Sequence, residues 1–161
     1  MRRVLCIAGL TLGFFFLEFF LFHLLGSWFK PNFLLLLIVF FNLYLGIRYS
    51  LLTAFTAGVL KDSFGLHAFG LYTFAFVLCA FLTTIVRKYL FHTSAYSFRI
   101  LLAFSLSMFQ VLVVWALYSL FTPVDPNQVL RYVLAPEVIP TTLIASYTFF
   151  YLKRCVLKFS V

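Results

Sequence analysis

Residues 30–64 read KPNFLLLLIVFFNLYLGIRYSLLTAFTAGVLKDSF, and this stretch decides the fold. It holds two apolar runs, residues 33–47 and 49–60, with Arg48 between them. One helix across the stretch would carry the Arg48 charge at its centre and would be far too long for a hydrocarbon core of about 30 Å. We therefore predict two short helices that form a hairpin, with the second extending to Phe64, although a helix over residues 33–47 rises only about 22 Å.

Outside this stretch, the chain consists mainly of four more apolar runs, at residues 4–28, 69–86, 100–121 and 133–151. Hydrophobic residues make up 65% of the 161 residues and charged residues only 10%, whereas about a quarter of a soluble domain is charged. A span takes about 20 residues, so the length allows about six spans with short loops. The sequence predicts an all-α fold: a polytopic membrane bundle of six transmembrane helices that forms a single domain over residues 1–161.

The net charge of +8 comes from Lys and Arg residues at the ends of the apolar runs. With the N-terminus in the cytoplasm, three basic residues of the twelve lie outside, namely Lys30, Lys61 and Arg131, and nine lie inside. This is the positive-inside pattern, and it predicts six spans with both termini cytoplasmic. No basic stripe is long enough to follow a phosphate backbone, so we expect no nucleic-acid partner.

Glu18 is the only acidic residue well inside an apolar run. It lies about 22 Å beyond Arg3 along a helix, where an ionised carboxylate needs a partner or a proton. It could serve as a proton or ligand site, or anchor a partner helix. We favour a structural polar residue that is protonated or hydrogen-bonded between packed helices. No acid or base elsewhere in the sequence is an evident mate.

Asp62 comes at the C-terminal end of the second hairpin helix, which is the unfavourable end for an anion. This position indicates a specific reason for an acid, such as fixed hydrogen bonds that hold the following turn. The plainer interpretation is a solvated acid paired with Lys61.

Two pairs of small residues stand four residues apart on predicted helices, Gly9 with Gly13 and Ala54 with Gly58. Small residues let two helix backbones approach closely inside a membrane. Each pair is therefore a candidate for helix packing, either within the chain or against another protein.

Catalytic and metal-binding patterns are missing from the sequence. His23, His67 and His92 have no metal-ligand spacing, and the predicted loops are too short to build a pocket around a nucleophile, histidine and acid set. The three cysteines include no CxxC pair. We expect no enzyme activity, no metal and no cofactor.

Several short motifs carry a resemblance to a known family. Lys30-Pro31-Asn32 opens the first hairpin helix and Gly46 ends it, and further on come Ala57-Gly58-Val59-Leu60-Lys61-Asp62, Phe69-Gly70-Leu71 and Pro140-Thr141-Thr142-Leu143. Together with the length and the six-span layout, they resemble the rod shape-determining protein MreD family. Val59, where the family often has Leu, and Glu18, where a milder polar residue is expected, depart from its pattern.

The resemblance implies a non-catalytic role in the lateral cell-wall synthesis of rod-shaped bacteria, in the inner membrane. Its implied partners are the periplasmic scaffold MreC and, with it, the actin-like MreB, the polymerase RodA and a class B penicillin-binding protein. The fold is expected to be similar to the substrate-binding subunits of energy-coupling factor transporters. That similarity leaves an alternative function, a membrane subunit that binds a vitamin-type small molecule for transport. A third possibility, a proton-coupled transporter or flippase, depends on Glu18 alone.

Overall fold

Six α-helices make up the part of the chain that the computed structural model describes, residues 2–26, 29–64, 70–90, 96–120 and 135–159. In chain order they are α1 (Arg2–Leu25), α2 (Phe33–Tyr44), α3 (Ile47–Phe64), α4 (Leu71–Leu90), α5 (Tyr96–Ser119) and α6 (Ala135–Phe159). No strand occurs within these ranges. The predicted all-α class with six helices is therefore confirmed.

Helix α2 is the centre of the bundle. It has 12 residues, and every residue from 33 to 43 is buried. It packs against all five of the other helices, and each of the six contributes side chains to one continuous hydrophobic core. A helix that is apolar on every side is stable when other helices surround it on every side. Helix α2 is therefore shielded from lipid, although it is shorter than a full membrane span.

The turn between α2 and α3 explains why residues 30–64 do not form one long helix. The backbone N–H groups of Leu45 and Gly46 both donate to the Phe41 carbonyl and close the end of α2. Gly46 has a φ of 97°, a left-handed conformation that favours glycine. The predicted hairpin is confirmed, although α2 ends at Tyr44 rather than at residue 47 and α3 already begins at Ile47.

Hydrogen bonds between helix ends show that successive helices alternate in direction. Asp62, near the end of α3, accepts a bond from Tyr72 near the start of α4. Asn32, just before α2, donates to Glu137 near the start of α6. We call the end of the bundle where Asn32 contacts Glu137 the Asn32 end. The opposite end, where Asn42 lies late in α2, is the Asn42 end.

Among the described residues, three helices contain segments that are long and apolar enough to cross a membrane, Cys6–Leu25, Leu71–Tyr89 and Phe98–Ser119. Large apolar side chains on these helices are exposed, including Phe16 at 66% and Leu101 at 62%. A water-soluble surface does not carry this much exposed apolar area on its helices, and lipid is the solvent that suits it. The chain is a membrane protein.

Helix α6 runs longer than its apolar run, from Ala135 to Phe159 rather than over residues 133–151, with Pro140 inside it. A proline in a helix leaves the carbonyl four residues earlier without its usual donor. Here that carbonyl belongs to Pro136, and it accepts the backbone N–H of Lys30 at 3.0 Å. Pro140 therefore allows α6 to bind the segment that precedes α2.

Candidate functional site: a buried polar cluster

A buried polar cluster lies at the Asn32 end of the bundle, with Asn32, which is 1% exposed, at its centre. Its other members are Glu18, Lys61, Gln110, Glu137 and Thr141. The amide nitrogen donates to Gln110 Oε1 at 2.9 Å and to Glu137 Oε1 at 2.8 Å. The amide oxygen caps α2 by accepting the Leu35 N–H. One side chain thus starts the central helix and ties it to α5 and α6.

The backbone around Asn32 is bound to α6 as well. The Asn32 N–H donates to Thr141 Oγ1 at 2.9 Å, and the Lys30 N–H donates to the carbonyl that Pro140 leaves open. Pro31 has no N–H group, so both backbone N–H groups of residues 30–32 have hydrogen-bond partners within the protein. The two motifs around Lys30 and Pro140, which are 110 residues apart in the sequence, therefore form one contact.

Glu18 and Lys61 form an ion pair, with 2.7 Å between Glu18 Oε1 and Lys61 Nζ. Their side chains are only 18% and 19% exposed. Lys61 Nζ also lies 4.9 Å from the centre of the Tyr72 ring and interacts electrostatically with Glu137. The expectation that Glu18 has no evident mate is wrong, and so is the suggestion that Lys61 pairs with Asp62.

The sequence contains one signal that could have revealed this pair. Glu18 and Lys61 both lie in the half of their helices that approaches the Asn32 end, and they carry opposite charges. Matching depth and opposite charge together favour an interhelical pair, because an isolated charge at that depth is costly. The separation of 43 residues hides the pair from any local pattern.

The Asp62 carboxylate caps the next helix. It accepts hydrogen bonds from the Tyr72 and Thr73 backbone N–H groups, both at 3.0 Å, and from the Thr73 hydroxyl at 2.6 Å. The carboxylate comes from the C-terminal end of α3 but lies at the N-terminal end of α4, where an anion is favoured. This geometry explains the acid at an apparently unfavourable position.

The two small-residue pairs lie in different environments. Ala54 and Gly58 are buried in the bundle, and a Cβ atom added to Gly58 would come 2.3 Å from Thr73 Cα. Gly58 therefore packs α3 against α4. Gly9 and Gly13 lie on the exposed side of α1, where an added Cβ would meet nothing within 4 Å.

A second polar group, which the sequence did not reveal, lies at the Asn42 end. The Asn42 amide, which is fully buried, donates to the Ala80 carbonyl at 2.8 Å and to Thr84 Oγ1 at 2.9 Å. Arg87 Nη1 donates to the Asn42 carbonyl at 2.7 Å. These bonds fasten the C-terminal end of α2 to α4, just as Asn32 fastens the other end of α2 to α5 and α6.

The polar cluster offers fixed charges and hydrogen bonds. Two of its buried polar atoms, Glu18 Oε2 and Gln110 Nε2, have no hydrogen-bond partner among the described residues. Within those residues, no group of three His, Cys, Asp or Glu side chains could hold a metal ion. His67 and His92 lie outside the described residues. The arrangement suits the positioning of helices.

The family model described as rod shape-determining protein MreD matches residues 2–158, which is nearly the whole chain. No curated protein and no solved structure matches it.

Proposed function

Because the chain belongs to the rod shape-determining protein MreD family, we propose that it is a non-catalytic component of the bacterial lateral cell-wall elongation machinery. Family membership gives it a role in determining rod shape. In the proposed role, it binds and organises MreC and the peptidoglycan synthase in the inner membrane. Through MreC it is linked to MreB, RodA and a class B penicillin-binding protein.

The exposed face of α1 is the observation that carries the proposal. Gly9 and Gly13 leave the helix backbone open along this face, while Ile7 and Phe15 bury the opposite face in the core. The neighbouring Leu12 and Phe16 are 44% and 66% exposed. Transmembrane helices associate through small residues with larger side chains beside them, so this face suits the membrane helix of a protein partner.

We also propose that all six helices cross the membrane within a single domain and that both termini are cytoplasmic. The alternating directions of the helices and the excess of Lys and Arg at the Asn42 end support this layout. A reporter fused after Val161 should then indicate the cytoplasm, and one inserted at Asp125 should indicate the periplasm. A periplasmic signal at Val161 would overturn the layout.

The experiment that tests the partner surface replaces each α1 glycine by isoleucine. Gly9→Ile or Gly13→Ile should keep a partner helix away from the backbone and reduce co-purification with MreC in mild detergent. Ala116→Ile is the matched control, because Ala116 is also a small exposed residue but lies on α5. All three variants should reach normal abundance in the membrane.

Normal MreC recovery with both glycine variants would remove α1 from the interface. The alternative function, a small-molecule transporter subunit, predicts instead that an ATPase module or a vitamin co-purifies with the wild-type protein. The expected likeness of the fold to energy-coupling factor subunits stays a prediction.

A further inference from the structure

A groove of about 470 Å³ runs between α1 and α6. Leu10, Phe14 and Leu17 form one wall, and Ile144, Thr148 and Leu152 form the other. Both helices pack against α2, whose first residue, Phe33, also lines the groove. The Thr148 hydroxyl donates to the carbonyls of Ile144 and Ala145 in its own helix, so the groove is apolar throughout.

The shape and lining of the groove favour a flexible chain over a helix. Its lining contains no glycine, alanine or serine, the residues that let a helix backbone come close in a membrane. The α1 glycines lie on a neighbouring face of that helix, outside the groove. The walls extend over eight residues of α1 and nine of α6, or about 10–12 Å of helix, which matches part of a lipid acyl chain.

A positive charge lies beyond one end of the groove. Tyr147 and Tyr151 line the groove, and the centroids of their stacked rings are 5.6 Å apart. Arg154 lies on the same side of α6, seven residues after Tyr147 and three after Tyr151. The Arg154 guanidinium lies 5.2 Å from the centre of the Phe150 ring. No carboxylate of the described residues lies within ion-pair distance of it. A guanidinium on an aromatic face at a membrane surface can bind a phosphate group.

We propose that this groove binds one anionic phospholipid, with an acyl chain between α1 and α6 and the phosphate on Arg154. The orientation proposed above assigns this lipid to the cytoplasmic leaflet. The site itself does not depend on that orientation or on any protein partner. The acyl chain fills the space that separates α1 from α6 on this side of α2. The charge of the headgroup determines which lipids bind preferentially.

The test is a lipid titration of the purified full-length protein, followed by native mass spectrometry. The probes are dioleoyl phosphatidylglycerol and dioleoyl phosphatidylcholine, which share acyl chains and differ in headgroup charge. The wild-type protein should retain the anionic lipid preferentially. Arg154→Gln should weaken its binding roughly fivefold and leave phosphatidylcholine unchanged, whereas Lys153→Gln, on another side of the helix, should have no effect.

A second pair of variants tests the groove itself. Thr148→Trp should fill the groove and reduce binding of both lipids, whereas Ile139→Trp, at an exposed position of α6 outside the groove, should leave both unchanged. Equal retention of the two lipids by the wild-type protein would overturn the proposal. Unchanged lipid binding by Thr148→Trp would overturn it as well. A loss of MreC co-purification in Thr148→Trp with normal lipid binding would assign the groove to a protein partner instead.

Discussion

The Glu18 carboxylate on α1 and the Lys61 ammonium on α3 are 2.7 Å apart, although 43 residues separate them in the chain. Helix α1 packs only against α2 and α3 to any large extent, so this pair is a main polar connection between α1 and the rest of the bundle. Lys61 also has a favourable electrostatic interaction with the Glu137 carboxylate. Its charge therefore stabilises two acids, on α1 and on α6.

Removing Lys61 should destabilise the protein more than removing the Glu18 charge. Lys61→Met would leave the carboxylates of Glu18 and Glu137 in a mostly buried place without their cation, and we expect unfolding to become easier by up to about 3 kcal/mol. Glu18→Gln keeps a hydrogen-bond acceptor for Lys61, whose charge still interacts electrostatically with Glu137. The measurement is thermal unfolding of the purified variants in detergent.

The double variant Glu18→Gln/Lys61→Met gives the control for this prediction. It removes one acid together with the cation, so it should be more stable than Lys61→Met alone. If the double variant is less stable than both single variants, the ion pair is not the source of the effect. If Glu18→Gln abolishes rod shape at normal abundance, Glu18 has a role beyond packing, such as proton transfer.

Asp62 should contribute to folding through the start of α4. Asp62→Ala would remove the acceptor of three hydrogen bonds and leave partly buried donors unpaired, at a cost of about 1–3 kcal/mol. The expected result is a lower melting temperature and a lower amount in the membrane. Ser63→Ala is the control, because Ser63 is exposed and its hydroxyl donates to the Val59 carbonyl of its own helix. Equal stability of the two variants would show that the Asp62 hydrogen bonds contribute little to folding.

The glycines of α1 and α3 should respond in opposite ways to a single added methyl group. Gly58→Ala places Cβ 2.3 Å from Thr73 Cα, and backbone cannot move aside as a side chain can, so a loss of about 1–3 kcal/mol is expected. Gly9→Ala meets nothing within 4 Å and should leave stability unchanged or raise it by less than about 1 kcal/mol. Thermal unfolding of the two variants side by side is the measurement. A tolerated Gly58→Ala would show that α3 and α4 can separate at little cost.

The sequence predicted the central hairpin because its signals are local. Arg48 cannot lie at the centre of a span, and Gly46 allows the left-handed turn that separates α2 from α3. The number of helices follows from length and apolar runs in the same way. The end of α6 was predicted too early, because residues 152–159 are less apolar than the span before them and yet continue the helix.

The contacts of the polar cluster could not be predicted to the same degree. The sequence predicts a helix start at Asn32, but the bonds of Asn32 to Gln110 and Glu137 join residues that are 78 and 105 positions apart. Glu137 lies within the last predicted apolar run and is 7% exposed inside the bundle, but the sequence alone does not predict its contact with Asn32. Such pairings depend on which helices become neighbours, and hydrophobic patterns that are apolar on all sides do not specify neighbours.

The last prediction concerns the charge balance beside Asn32. Asn32→Asp keeps the oxygen that caps α2 but replaces the donor of two bonds by a second acceptor. The new carboxylate would face Glu137 Oε1, at a position where the donor now lies 2.8 Å away. Two carboxylates at this distance in a buried place repel one another, so we expect a marked loss of thermal stability.

Combining Asn32→Asp with Glu137→Gln restores a hydrogen-bond donor and removes one charge. The double variant should therefore regain much of the lost stability, whereas Glu137→Ala, which supplies no donor, should rescue it less. Equal rescue by Gln and Ala would show that charge alone governs this position, and no rescue by either would show that the Asn32 amide is needed for its bond to Gln110.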